Sequence, residues 1–129
     1  MEKINVKTTK QVEFVDITEK IRLLITGQNI ETGHCTIFVP HTTAGITINE
    51  NADPCVRRDI IAKLNKVIPL ADNYTHSEGN SAAHIKASLL GFSLHVLIEK
   101  GTLQLGTWQG IYFAEFDGPR SRQVWVSIV

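Results

Sequence analysis

Apolar positions along the chain recur at two spacings, and these set the expected elements. Ile4-Asn5-Val6-Lys7-Thr8 alternates, as a half-buried strand does, because successive side chains on a pleated strand face opposite ways. Val12–Val15 predicts a second strand. Ile21, Leu24 and Ile25 then follow at helical spacing. Thr18 is the expected N-cap of that helix, its hydroxyl accepting from a free first-turn amide, and Gly33 is placed in the loop that ends the unit. His34–Val39 is β-branched and apolar and reads as a strand, which Pro40 breaks. His41–Gly45 is a turn, and Ile46-Thr47-Ile48 resumes a strand.

Asp53-Pro54 opens the next helix, with Asp53 as N-cap and Pro54 at the first helical position, where a missing N–H is harmless. It runs to about Val67 and stops at Pro69. Leu70–Asn80 is polar and reads as a loop. Ser81–Leu90 is a short helix closed by Gly91, Leu94–Ile98 a strand, and Gly101 a turn. Gln109–Phe116 and Gln123–Val129 are strands on either side of a tight turn at Asp117-Gly118-Pro119-Arg120. Without a regular βαβ rhythm, this order predicts an α+β domain with a mostly antiparallel, twisted, sandwich-like sheet and about three helices. At 129 residues, one domain over residues 1–129 is expected, with no need of a disulfide to hold its core.

Charge adds exclusions. Thirteen basic residues balance thirteen acidic ones, so neither nucleic acid nor an anionic membrane surface is an expected partner. No apolar run approaches the roughly 20 residues of a membrane helix, and Met1-Glu2-Lys3-Ile4-Asn5 does not resemble a secretion signal. A cytoplasmic setting is therefore expected, with Cys35 and Cys55 as reduced thiols. They lack the CxxC spacing of a metal pair.

Three polar segments carry candidate chemistry. Pro40-His41-Thr42-Thr43-Ala44-Gly45, with Asn49-Glu50 beyond it, holds a histidine stiffly beside a proline, which suits a metal ligand or a general base. Gly45 would let a ligand approach the backbone. Tyr74-Thr75-His76-Ser77-Glu78-Gly79-Asn80 leads to His84 in the first turn of the third helix. A loop folded back over that helix end would turn both rings toward one point, beside amides that favour an anion. Trp108-Gln109 and Glu115-Phe116-Asp117-Gly118-Pro119-Arg120-Ser121-Arg122 form the third segment. Alternation sets Phe116 on the face opposite Glu115 and Asp117, and puts Arg120 and Arg122 on one face, where guanidinium forks suit phosphate oxygens. Taken singly, the first two segments read first as a turn and a solvated loop with surface histidines, and the third equally as a hairpin turn with ion pairs. His34 and His95 read as structural, Tyr112, Phe113 and Trp125 as core or interface residues, and Asp59 as a surface charge.

In order, Pro40–Gly45 with Asn49-Glu50, Tyr74–His84, and Leu105–Gln109 with Glu115–Arg122 closely resemble the motifs of the YjbQ-like family, also called secondary thiamine-phosphate synthases. The resemblance spans the chain. It implies a compact α+β domain assembled as a homotrimer. The implied reaction joins a pyrimidine pyrophosphate to a thiazole phosphate, giving thiamine phosphate and pyrophosphate, with small phosphorylated metabolites as partners. It also implies metal-binding roles for His41, His76 and His84 and matches the family's arginines to Arg120 and Arg122. Ser77 departs from the acidic character common at that place in relatives.

The expected catalytic groups are His41, Glu50, Glu115 and Asp117. The expected substrate and phosphate contacts are Thr42, Thr43, Asn49, Asn80, Gln109, Arg120 and Arg122. Three imidazoles favour a zinc-like divalent ion, whereas magnesium would need carboxylates near the site. A metal-dependent hydrolase and a non-catalytic module that binds a phosphorylated metabolite are alternatives that use the same residues.

Overall fold

The structure is a computed structural model and describes residues 1–129. Its elements run β1 (Glu2–Lys7), β2 (Glu13–Asp16), α1 (Thr18–Thr26), β3 (Thr32–Phe38), β4 (Ala44–Glu50), α2 (Pro54–Val67), α3 (Ser81–Leu90), β5 (Ser93–Glu99), β6 (Thr102–Leu103), β7 (Gln109–Glu115) and β8 (Ser121–Ile128). Five strands pair in the order β1-β8-β3-β5-β6 and three in the order β2-β7-β4. Every strand pair is antiparallel, so the fold is the expected α+β domain. No helix is long and apolar enough to cross a membrane.

The three-stranded sheet is a middle layer. Its inner face meets the five-stranded sheet and α1 through Ile46, Ile111 and Phe113, packed with Ile21, Ile37 and Val124. Its other face carries Phe14, Tyr112 and Ala114, which pack with Phe116 and with Ala83 and Ala87 of α3. Burial on both faces explains why β7 is apolar at nearly every position instead of alternating. The small residues Ala82, Ala83 and Ala87 let α3 lie close on β4. A Cβ at Gly45 would sit 2.8 Å from the Gly91 carbonyl oxygen. Gly45 therefore serves helix–sheet packing, which corrects the expectation that it admits a ligand.

Three local expectations change. Thr18 is the first residue of α1, not its N-cap. Its hydroxyl accepts from the Ile111 amide at 2.9 Å, and the Asp16 carboxylate accepts the Thr18 amide at 2.9 Å. Gly33 lies inside β3, because α1 ends at Thr26 and the strand starts at Thr32. The turn after Pro40 is shorter than expected, and β4 begins at Ala44. Asp53 caps α2 as expected, accepting from the Cys55 amide at 2.8 Å. Cys35 is buried, Cys55 is exposed, and both are free.

Candidate functional site

The site begins with a buried ion pair. Glu115, at the end of β7, is wholly buried, and Arg122, near the start of β8, is 6% exposed. The guanidinium donates through Nε and Nη2 to both carboxylate oxygens, the Nε bond being 2.9 Å. Thr8 donates to the same carboxylate at 2.8 Å, and the Asp117 amide donates at 3.1 Å. Burial pushes the Glu115 carboxyl up, but these donors and the Arg122 charge together hold it below its ordinary value. A buried carboxylate whose two oxygens already accept four bonds has no free lone pair to act as a general base. The catalytic role expected of Glu115 is therefore corrected to a positioning role: it fixes Arg122.

Arg122 is thereby aimed. Its Nη2 also donates to the Thr43 hydroxyl at 2.8 Å, while Nη1 makes no bond to protein. Beside it, Asp117 receives Asn80 Nδ2 at 2.9 Å and Arg120 Nη2 at 3.1 Å. Asp117 thus orients both neighbours through Oδ2, while its Oδ1 accepts no bond within the protein. Asn80 must present its nitrogen to Asp117, which turns its Oδ1 away, buried and without a partner.

His41 is set by β8. Its Nε2 accepts the Gln123 backbone N–H at 2.9 Å, and Gln123 Oε1 in turn accepts from Trp125 Nε1 at 3.1 Å. Burial and the Arg122 charge lower the His41 pKa. The ring is thus neutral near pH 7, with its proton on Nδ1. The third helix and its preceding loop complete the ring of groups. His76 and His84 stand edge to face with centroids 5.6 Å apart, and Glu78 lies 4.0 Å from His76 Nε2.

These residues surround an open cleft of about 450 Å³ lined by Pro40, His41, Thr42, Thr43, His76, Glu78, Asn80, His84, Arg120 and Arg122. Three distant stretches of sequence meet there. Asn49, Glu50 and Gln109 do not join them. They occupy the far end of β4 and β7, where Glu50 pairs with Gln109, whereas Ala44 pairs with Glu115 beside the cleft. Six residues of strand separate the ends by about 20 Å. The expected roles of Asn49, Glu50 and Gln109 thus lack a place in this cleft. Gln109 instead closes its own turn, accepting the Gly106 amide at 2.8 Å.

The cleft residues differ in their fit to a divalent ion. His41 does not fit as an imidazole ligand, because its lone pair is occupied by the Gln123 amide and its other nitrogen is protonated. No three His, Cys, Asp or Glu side chains stand in coordinating geometry, so the tris-imidazole centre is not assembled. His76 and His84 do fit: two imidazoles on one tetrahedral ion have centroids roughly 5 Å apart. Glu78 is the carboxylate nearest to them, 4.0 Å from His76 Nε2, but the three do not stand together in coordinating geometry.

Sequence reasoning missed Thr8 and Gln123. Thr8 is buried, and besides donating to Glu115 it accepts the Arg120 amide at 2.8 Å. Its partners lie more than a hundred positions away, and no local pattern marks it. Gln123 acts through its backbone, so its side-chain identity carried no signal. His34 and His95 lie exposed on the outer face of the larger sheet, with ring centroids 6.0 Å apart. Asp59 is exposed on α2, as expected.

The model of the UPF0047 protein YjbQ-like family matches residues 2–129. A UPF0047 protein of Methanocaldococcus jannaschii is 56% identical over 98% of this chain and 92% of its own length. The UPF0047 protein YugU of Bacillus subtilis is 49% identical over 98% and 96%. A crystal structure of an uncharacterised yjbq/upf0047 protein from Clostridium acetobutylicum superposes with a TM-score of 0.98 at 53% identity, covering all of both chains. With residues 2–129 matched and relatives this similar along their whole length, the chain belongs to the YjbQ-like UPF0047 family.

Proposed function

We propose that the chain is an enzyme acting on a phosphorylated or pyrophosphorylated small molecule, with thiamine phosphate synthesis as the named candidate. The observation that carries this reading is the cleft itself, whose lining is polar apart from Pro40 and gathers Arg120, Arg122 and His41 with His76 and His84. Such a lining suits an anion with several oxygens. Arg122 Nη1 and the His41 Nδ1–H are donors without a protein partner, and a neutral histidine donates there without demanding a charge. In the candidate reaction the bond from the pyrimidine methylene carbon to the pyrophosphate oxygen breaks, and the thiazole nitrogen takes the carbon. Negative charge builds on the departing oxygen. Donors fixed in advance by Glu115, Asp117 and the Gln123 amide stabilise that charge without reorganising. A divalent ion held by His76 and His84 would supply further charge neutralisation there.

Purified protein given both precursors and a series of divalent metals is expected to release pyrophosphate, and His41→Ala and Arg120→Ala to abolish the release. Wild-type protein that releases none with any metal overturns the reading. A second reading, a metal-dependent hydrolase, is favoured by the His76–His84 pair and its nearby carboxylate. Protein that contains no metal by mass spectrometry and hydrolyses no phosphate ester on addition of zinc would sink it. Thermal stabilisation by pyrophosphate without turnover would assign the cleft to a non-catalytic binding module instead. We further propose a homotrimer in the cytoplasm, the setting that free Cys35 and Cys55 suit. A monomeric mass by light scattering at micromolar concentration contradicts the trimer.

A further inference from the structure

Behind α3, on the side away from the cleft, lies Lys86. It is 4% exposed, which is rare for a lysine. Its Nζ donates to Asn65 Oδ1 of α2 at 2.6 Å and lies 6.0 Å from the centroid of the Phe116 ring. No carboxylate comes within ion-pair distance of it. The amine also borders a separate cavity of about 240 Å³, walled by Phe116, Ala82 and Ala83 and edged by Asn65 and Gln11. The proposed reaction makes no use of either the amine or the cavity.

A buried ammonium normally has an anion to offset its desolvation. Here the partner is a neutral amide. A phosphate does not suit the space as a free ligand, because Lys86 is the only cation that borders it and the rest of its lining is neutral. Burial without a counter-ion raises the share of amine that is neutral, with a free lone pair, above that of an exposed lysine, although the Asn65 oxygen and the Phe116 ring also suit the ammonium. Burial lowers the Lys86 pKa, and no charged neighbour acts on it.

We propose that this cavity is a second ligand site, in which Lys86 Nζ takes a small carbonyl compound as an imine. The nitrogen lone pair forms a bond to the carbonyl carbon while the carbonyl π pair collects a proton. The carbinolamine then loses water, so amine and aldehyde give imine and water with no oxidant or reductant. Ala82 and Ala83 leave room for a body of a few carbons against Phe116, and the Gln11 amide at the edge suits a polar end. The site is independent of the polar cleft, so its failure would leave the phosphate reading untouched.

The test treats the intact protein at pH 7 with a graded series of propanal concentrations and cyanoborohydride, which fixes an imine as a stable alkyl mark. Peptide mass spectrometry then compares each lysine over time. Lys86 is expected to be marked about tenfold faster than the exposed Lys63. Its rate should level off as propanal rises, as occupancy of a site requires. Gln11→Ala should raise the half-saturating concentration severalfold for glycolaldehyde, which has a polar end, and leave propanal unchanged. Marking of Lys86 at or below the Lys63 rate overturns the proposal, and so does a rate that stays linear in propanal. Lys86→Met should erase the fast phase in intact mass. If that variant fails to fold, the wild-type peptide map decides by itself.

Discussion

The two ends of the β4–β7 ribbon make an instructive pair. Each carries a polar motif on an antiparallel register, Ala44 with Glu115 at one end and Glu50 with Gln109 at the other. Only the first becomes a cleft. There, β8 leaves the turn with Arg122, the Gln123 amide fixes His41, and the loop before α3 brings His76 and Asn80. At the other end, the polar groups satisfy one another locally. The Asn51 amide donates to the Trp108 carbonyl at 3.0 Å, Tyr112 donates to the Glu50 carbonyl at 3.1 Å, and the Gln109 side chain folds onto Gly106. A polar motif becomes a site where outside elements converge on it with donors left over. Elsewhere it closes a turn.

This contrast can be broken most sharply at its foundation. Arg122→Met leaves Glu115 buried without its cation, and removing one partner of such a pair costs about 3–5 kcal/mol. Urea denaturation should show that loss, whereas Gln109→Ala at the far end should cost less than about 1 kcal/mol. Equal losses would mean that the two ends are supported alike. Next in size is ligand affinity. Arg120→Ala should weaken pyrophosphate binding roughly tenfold or more, as loss of a charged hydrogen bond does, while Glu50→Ala should change it less than about twofold. Calorimetric titration with pyrophosphate checks both. A Glu50→Ala effect as large as that of Arg120→Ala would place the far end in the site.

Acid sensitivity gives a subtler comparison. The His41 pKa is lowered in the folded protein from its ordinary 6.5, so the unfolded chain takes up that proton first. Stability is then fully present above about pH 6.5 and falls as the pH drops through that value toward the folded-state pKa. Glu115, also lowered, adds a second loss that begins below its ordinary 4.5 and continues through its folded-state pKa. Thermal melts between pH 7.5 and 5.5 should show the first slope, and His41→Gln should flatten it. A slope unchanged in that variant would assign it to another group. The smallest effect is expected at Trp108, which is 63% exposed. Trp108→Ala should shift stability by no more than about 0.5 kcal/mol, which a denaturant midpoint resolves.

Much of the fold was legible in the chain. Asp53-Pro54 marked the start of α2, Gly91 the end of α3, and alternation set Phe116, just past β7, on the face opposite Glu115, where it joins the smaller core. The misreadings have local causes. Thr18 looked like a cap because its type favours caps, but a long-range bond to Ile111 took its hydroxyl. Gly33 looked like a loop residue because glycine marks turns, yet it sits in β3, where a side chain would strike the Val129 carbonyl.

For the site, the sequence by itself determined the inventory: histidines, arginines and carboxylates in three segments, with a proline, a glycine-bearing loop and a helix start to hold them. Residue type dictates what a side chain can donate, accept or ligate, and that much needs no fold. Tertiary structure decided the roles. Glu115 turned from an expected base into the anchor of Arg122 once burial surrounded it with four donors. His41 turned from an expected metal ligand into a neutral donor once the Gln123 amide took its lone pair. Glu50 was set about 20 Å from the cleft by the rise of the strand that carries it. In each case the deciding partner was brought in by the fold from far along the chain or set by strand geometry, and local sequence pattern cannot encode which lone pairs such contacts will occupy.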